Sequence, residues 1–516
     1  MSSRRWTGTA GAGAIVAALL ALGAAQLAHG TRRSSDRDQR GGAAVTLTGA
    51  SARIARGRQA TIPSGDWTTF DYDAQRSGDG PADTGITAAN LHRLETRTVS
   101  LPGTVDSSAV ELHGLTVDGR TRDVAFMTTS YGITFALDVG TGQLLWKYVP
   151  AGTSSLVGSP QITAATPVID PDGEFVYATS PNGFVHKLQV TSGRLIWSTQ
   201  VLYNAVRQKL PSSLNISGDS LIVVTDGYDG DTPPYQGHVV LVNLASGRIS
   251  AVFNALCSNR HELIDPSNCV ASDAGIWGRS GSVVEPDGDI LVATGNAPFN
   301  GSTEWGDSVL ELSPTLSLLH NWTPTYQQEL NVNDLDLGST EPALLPAIGN
   351  LRLAVQGGKA AVLDLLDLDR LDGTTGPAGP RTGGQLQQVR APGDTDVFTA
   401  PAVWSDGGRV YVFVATNNGT AAFSLTAPHR LSVVWQDATP GTSPVVAGGL
   451  LYVYDPVGGT LEVRNPVTGS QLANLAAAPG HWNSPIVVGG RIILPVGDDN
   501  DHLSTGRLFI YHLPGR

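Results

Sequence analysis

From residue 65 onward, apolar residues fall in short runs and not at helical spacing. Runs of Val, Ile, Leu, Tyr and Phe alternate with Gly, Asp, Asn and Pro, the punctuation of strands and turns. One unit recurs. Each copy opens on a small-residue or proline step, followed by a strand, a glycine turn and a second strand. The openings are Ser107-Ser108-Ala109-Val110, Ala165-Thr166-Pro167-Val168, Ser212-Ser213-Leu214 and Gly281-Ser282-Val283-Val284. Thr340-Glu341-Pro342-Ala343, Thr399-Ala400-Pro401-Ala402, Thr442-Ser443-Pro444-Val445 and Asn483-Ser484-Pro485-Ile486 complete the set. Spacings of roughly 40 to 70 residues suit four-stranded blades.

Several units also end alike. Asp138-Val139-Gly140-Thr141-Gly142-Gln143-Leu144-Leu145-Trp146 is the fullest copy, and Thr191-Ser192-Gly193-Arg194-Leu195-Ile196-Trp197 repeats it. Asn243-Leu244-Ala245-Ser246-Gly247 and Asn465-Pro466-Val467-Thr468-Gly469 are degenerate copies. The glycine supplies a positive φ for a tight turn between the last two strands. Trp146, Trp197, Trp322 and Trp435 then read as core residues packed between neighbouring units. One unit cannot bury both of its faces, but a closed ring can. The pattern therefore predicts an all-β chain, an eight-bladed β-propeller of four-stranded antiparallel blades. The Ser/Thr-Pro steps belong on its innermost strands, and residues 65 to about 100 help to close it.

The segment before the repeats differs in kind. Arg4 and Arg5 precede an apolar Ala- and Leu-rich run from about Ala10 to Ala28, and Ala28-His29-Gly30 fits a small-x-small cleavage site. Residues 1–30 read as a signal peptide or N-terminal anchor, 31–64 as a flexible linker, and 65–516 as the propeller. The expected location is secreted or extracytoplasmic, with membrane contact only through the N-terminal segment if it stays uncleaved. Export would suit a disulfide between the two cysteines, Cys257 and Cys269. No Cys-x-x-Cys-His is present for haem attachment. A net charge of −13 argues against nucleic acid.

The Asp-x-x-Thr-Gly-x-x-x-Trp repeats resemble those of the pyrroloquinoline quinone (PQQ) dehydrogenases, the quinoprotein alcohol dehydrogenases. Trp67-Thr68-Thr69-Phe70-Asp71-Tyr72-Asp73, Arg76-Ser77-Gly78 and Thr84-Gly85-Ile86 extend the likeness over about residues 65 to 514. The resemblance implies a site. Trp277, in Gly275-Ile276-Trp277-Gly278, matches the aromatic platform under the cofactor. Asn296, in Ala293-Thr294-Gly295-Asn296, matches a calcium ligand. Asp334, in Asn333-Asp334-Leu335-Asp336, matches the catalytic base and would also face the metal, with Asp336 as the second choice. Lys359 matches the cation that touches the quinone oxygen; the chain has only four lysines. PQQ and calcium are the implied cofactors, an alcohol or sugar the substrate, and a separate electron acceptor the partner.

The chain also departs from that pattern. The second calcium carboxylate, a Glu, has no counterpart before Gln236; Asp229 and Asp231 are the acids nearby. The adjacent Cys-Cys pair that caps the quinone in many relatives is missing. Those departures keep open a non-catalytic propeller acting as a protein- or polymer-binding scaffold. His481 and Trp482 open the last unit at the channel rim. Trp482 is a candidate cofactor contact, and a packed His-Trp pair sealing the ring is the alternative. Gly497-Asp498-Asp499-Asn500-Asp501 reads as a loop calcium site or, more ordinarily, a solvated turn.

Overall fold

The computed structural model describes residue 62 and residues 65–515, except for 229, 348, 350, 374–380 and 428. The leader, the cleavage site and nearly all of the linker read from the sequence lie outside the described residues. Among the described residues, no helix is long and apolar enough to cross a membrane.

Eight four-stranded antiparallel sheets follow one another around an axis. Blades 1 to 7 span residues 110–148, 168–200, 215–254, 283–322, 343–390, 402–437 and 445–476. Blade 8 takes its three inner strands from residues 486–512 and its outermost strand from Glu95–Leu101, which pairs antiparallel with Gly506–His512. The ring is therefore sealed by strands about four hundred residues apart.

Strand position explains composition. Middle strands such as Thr134–Asp138 and Arg491–Val496 are buried along their whole length, so they read as continuous apolar runs. Outermost strands such as Leu195–Gln200 and Gln471–Ala476 are largely exposed, with every second residue of their outer halves better covered. Each blade buries both faces against its neighbours, and every one of the eight joints holds its own apolar cluster.

The recurrent Gly and Trp meet at these joints. Trp146 of blade 1 reaches the turn of blade 2, where its Nε1 donates to Val190 O (2.8 Å). Trp197 does the same to Leu244 O (3.1 Å) and Trp435 to Pro466 O (2.8 Å). Each indole lies on the turn glycine of the next blade, so a Cβ on Gly193, Gly247 or Gly469 would stand 2.4, 2.7 or 2.6 Å from a Trp atom. The same glycines carry φ of +66°, +70° and +73°. Trp322 is fully buried, as the core reading expects, whereas the other three are half-buried edges of their joints.

The segment 66–80 threads across the innermost strands. Trp67 exchanges both backbone bonds with Glu111 of blade 1, and Thr68 O accepts from Ile169 N of blade 2. Ala74 O accepts from Val284 N of blade 4, Ser77 O from Val403 N of blade 6, and Gly78 O from Val446 N of blade 7. Arg76 is buried at its centre. Its guanidinium donates to Ser280 O, Ser282 O, Thr69 Oγ1, Phe70 O and Leu214 O at 2.6–3.3 Å.

Two glycine substitutions separate the roles of φ and packing. Gly218 has φ +54° and open space around its missing Cβ, while Gly247 adds the Trp197 contact. Gly218→Ala should cost about 1–2 kcal/mol for the left-handed conformation alone. Gly247→Ala should cost a further ~1–3 kcal/mol for overpacking. Urea unfolding of the two variants, followed by circular dichroism, checks the difference.

Candidate functional site

Residues from opposite sides of the ring converge at one mouth of the channel. Trp277 lies in the segment leading into blade 4. That segment is held by Ile276 N to Thr225 O, Gly295 N to Gly275 O and Gly278 N to Gly338 O. Asp334 caps the C-terminus of the short helix Gln327–Asn333 with φ +55°, a conformation that Asp tolerates better than most residues. The chain then turns so that Asp334 and Asp336 both face Lys359. The Lys359 ammonium lies 3.1 Å from Asp334 Oδ1 and 2.5 Å from Asp336 Oδ2, and 5.3 Å from the centre of the Trp277 ring. Asp336 Oδ1 accepts from the backbone N–H of Asn296 at 2.7 Å. Burial works against the Lys359 charge, but Asp336 and then Asp334 outweigh it and hold the ammonium above its ordinary range.

The aromatic wall continues across the mouth. The Trp277 and Phe398 rings are 5.8 Å apart, Phe398 and Trp482 5.3 Å, and Trp482 and His481 4.7 Å. These residues precede blades 4, 6 and 8. Blades 4 and 8 face each other across an eight-bladed ring, so a single phenyl ring can bridge them only near the axis.

Acidic groups surround this wall. Burial, then the charges of Asp336 and Asp231, push Asp226 well up. Burial raises Asp231 although Tyr235 donates to it at 2.8 Å, and burial with the Asp231 charge pushes Asp273 up to about 6. Beneath Asp336, Asp307 accepts from Leu337 N and Gln327 Nε2, and burial pushes it up to about 8. Two glycines make room for the carboxylates. A Cβ on Gly275 would stand 1.7 Å from Asp226 Oδ1, and one on Gly295 would stand 2.5 Å from Asp336 Oδ1. These oxygen donors outnumber the ammonium groups of Lys359 and Lys209 beside them, and oxygen donors are what a hard cation such as Ca²⁺ takes. The wide aromatic faces of Trp277 and Trp482 suit a flat conjugated ligand. The aromatic faces fit a flat quinone; at the mouth the oxygen donors for a metal are Asp334 and Asp336, both paired with Lys359, whereas the closely grouped acids among the described residues are Asp106, Asp498 and Asp499 with His481, and Glu285, Asp287 and Asp289.

Next to this lies a second charged cluster. His481 Nδ1 is 2.6 Å from Asp106 Oδ2 and 3.7 Å from both Asp498 Oδ1 and Asp499 Oδ1. Lys209 Nζ is 3.1 Å from Asp499 Oδ2. Lys209 itself sits in a two-stranded ribbon opposite Asp226, which links the two clusters.

Residues 87–251 match a family model described as outer membrane protein assembly factor BamB. No curated protein matches the sequence at a significant level. Solved structures match over most of the chain. The quinohemoprotein alcohol dehydrogenase of Comamonas testosteroni shares 14% identity at a TM-score of 0.63, covering 90% of this chain and 82% of its own. A quinohemoprotein alcohol dehydrogenase of Pseudomonas putida HK5 shares 13% at 0.65, covering 88% and 81%. A europium-containing methanol dehydrogenase shares 14% at 0.64, covering 88% and 99%. The fold is that of the quinoprotein dehydrogenases.

Against that fold, the structure brings Trp277, Asn296, Asp334, Lys359 and Trp482 to one mouth of the propeller. Asp336 is buried and bonded to both Asn296 and Lys359, whereas the Asp334 side chain is 61% exposed. Asp231 is tied to Tyr235, and Asp229 lies outside the described residues. Cys257 and Cys269 form a disulfide with Cα atoms 6.1 Å apart. Asp499 is no solvated turn residue; it is buried between Lys209 and His481. Sequence reasoning missed Asp226, Asp273 and Phe398. The nearest signal was the pair of glycines Gly227 and Gly275, whose missing side chains crowd Tyr235 and Asp226.

The second cluster gives a pH dependence. Burial opposes the His481 charge, but Asp106, Asp499 and Asp498 raise it from 6.5 to about 10. A raised folded value stabilises fully below about pH 6.5 and loses that contribution as pH climbs towards 10. The difference in urea midpoint between wild type and His481→Gln should therefore be largest at pH 6 and shrink steadily to pH 10. A difference that stays constant over that range would show that His481 is not charged in the folded protein.

Proposed function

We propose that the mouth binds PQQ with calcium and oxidises an alcohol or sugar. The observation that carries this reading is the meeting of Lys359 with Asp334, Asp336 and Trp277, four positions from three separate stretches of the chain. Trp277 would support the flat ligand, with Trp482 at its rim. Asn296 and Asp334 would hold the metal, with Asp336 beside them. Bound PQQ would supply the hydride acceptor, and the metal a Lewis acid.

The chain's own residues account for the rest. Asp334 is the exposed carboxylate, so a substrate hydroxyl can reach its Oδ and leave its proton there. Asp336 is buried, and besides lying next to the metal position it fixes the Lys359 ammonium and the Asn296 backbone. Lys359 would place positive charge where a quinone oxygen gains electron density. With no haem-attachment motif in the sequence, electrons would pass to a separate acceptor. A leader over residues 1–30, as read from the sequence, would give the site an extracytoplasmic setting.

Two observations favour a second reading. Lys359 already pairs with both carboxylates, and the matched family model carries the name of an assembly factor. On that reading the propeller is a non-catalytic scaffold for a protein or polymer.

Titration of the purified chain with PQQ and Ca²⁺, followed by absorbance and Trp fluorescence, tests the proposal. Wild type should bind saturably, and Trp277→Ala and Asn296→Ala should each weaken binding at least tenfold. Asp334→Asn should keep PQQ binding while dye reduction with alcohols or sugars falls about 10²–10⁴-fold. Absence of binding at high micromolar PQQ with excess Ca²⁺ would leave the scaffold reading in place.

A further inference from the structure

The mouth carries more carboxylates than a quinone and its metal use. Asp231, Asp273 and Asp396 stand around Asp334, whose charge reaches all three. They arrive from separate places. Asp231 follows the ribbon that holds Asp226, Asp273 lies in the segment leading to Trp277, and Asp396 precedes Phe398 by two residues. Each keeps accessible surface. Tyr235 donates to Asp231, but none of the three enters an ion pair among the described residues. The cations whose charge reaches this group are already held: Lys359 by Asp334 and Asp336, and Lys209 by Asp499.

Protons, a metal ion or an organic cation would each balance such charge. Protons do not suffice: burial and the Asp231 charge push Asp273 up to about 6, so it is mainly ionised at neutral pH. A metal ion needs its oxygens gathered on one point, at about 2.3–2.6 Å for Ca²⁺. Asp231, Asp273 and Asp396 belong to no such group; the closely grouped acids of the described residues lie elsewhere. Their charge is spread, and the surface beside it is aromatic. Trp277, Phe398 and Trp482 form a row of rings 5.8 and 5.3 Å apart, each partly accessible. The Lys359 ammonium, 5.3 Å from the Trp277 ring centre, shows that this row receives positive charge. Ring faces with scattered carboxylates suit a bulky, weakly hydrated cation, whose charge is spread over methyl or methylene groups.

We infer that the mouth recognises an alkylammonium group, with Phe398 and Trp482 as its aromatic faces and Asp231, Asp273 and Asp396 sharing its charge. Resting on the quinone reading of the same site, the substrate is then an alcohol that carries this cation, of the amino alcohol or amino sugar class. The ammonium takes no part in the oxidation; it fixes the molecule so that its hydroxyl meets Asp334. Trp277 and Lys359 are left to the quinone. The net charge of −13 draws the same class of molecule towards the protein.

Choline and its uncharged isostere 3,3-dimethylbutan-1-ol are the probes. Calorimetric titration of the purified chain, with no cofactor added, should show choline bound about tenfold more tightly. The double variant Asp273→Asn, Asp396→Asn should remove that preference, and Phe398→Leu should reduce it. Titration with PQQ and Ca²⁺ runs alongside, so the two readings fail separately. PQQ binding with equal affinity for the two alcohols overturns the inference and leaves the quinone reading in place. A choline preference without PQQ binding supports the cation site and removes the quinone. A preference unchanged in both variants places choline elsewhere on the acidic surface and likewise overturns the inference.

Discussion

The innermost strand of a propeller blade has one edge without a neighbour, and a buried N–H or C=O without a partner is costly. Here the segment 66–80 answers that constraint. It passes under the ring and trades backbone bonds with blades 1, 2, 4, 6 and 7 in turn. Arg76 extends the same logic with five side-chain bonds, most of them to carbonyls that the inner strands leave over. The blades do not simply lean on one another; a single short segment ties their inner edges together.

At the outer side, a different device fixes the angle between blades. The indole N–H of one blade finds a carbonyl in the last turn of the next, and its ring fills the space over that turn's glycine. One contact thus sets both distance and orientation. With inner and outer attachments in place, loops from blades 4, 6 and 8 arrive at the axis in fixed positions. Such rigidity is what a constellation of Trp277, Phe398, Trp482 and Lys359 requires, because none of these residues is near another in sequence.

The fold was legible because its joints repeat locally. Gly193 and Trp197, or Gly142 and Trp146, recur together within one turn and the strand after it, so each unit carries both halves of a joint in a short stretch, although Trp146 meets Gly193 and Trp197 meets Gly247 on the next blade. The eight openings were legible for the same reason. The site was legible only where a stretch resembled a known family: Trp277, Asn296, Asp334 and Lys359. Asp226 and Phe398 reach the mouth through the ribbon of blade 3 and the loop before blade 6, and nothing near them in sequence encodes that arrival. Asp499 looked like a hydrated turn because its partner Lys209 is some three hundred residues away. Ring geometry, not spacing, makes such pairs.

The seal between Glu95–Leu101 and Gly506–His512 also bears on how the chain reaches its folded state. Seven sheets can form from neighbouring hairpins as the polypeptide emerges. The eighth cannot be completed until its last strand is available, since its outer member waits from the beginning. Until then the molecule is an open arc with apolar flanks uncovered at blades 1 and 7, surfaces on which partly folded proteins aggregate. A product cut short before residue 506 would keep most of its sheets and lose the closed state, so shortening at that end should be read as a failure of assembly before it is read as loss of a site.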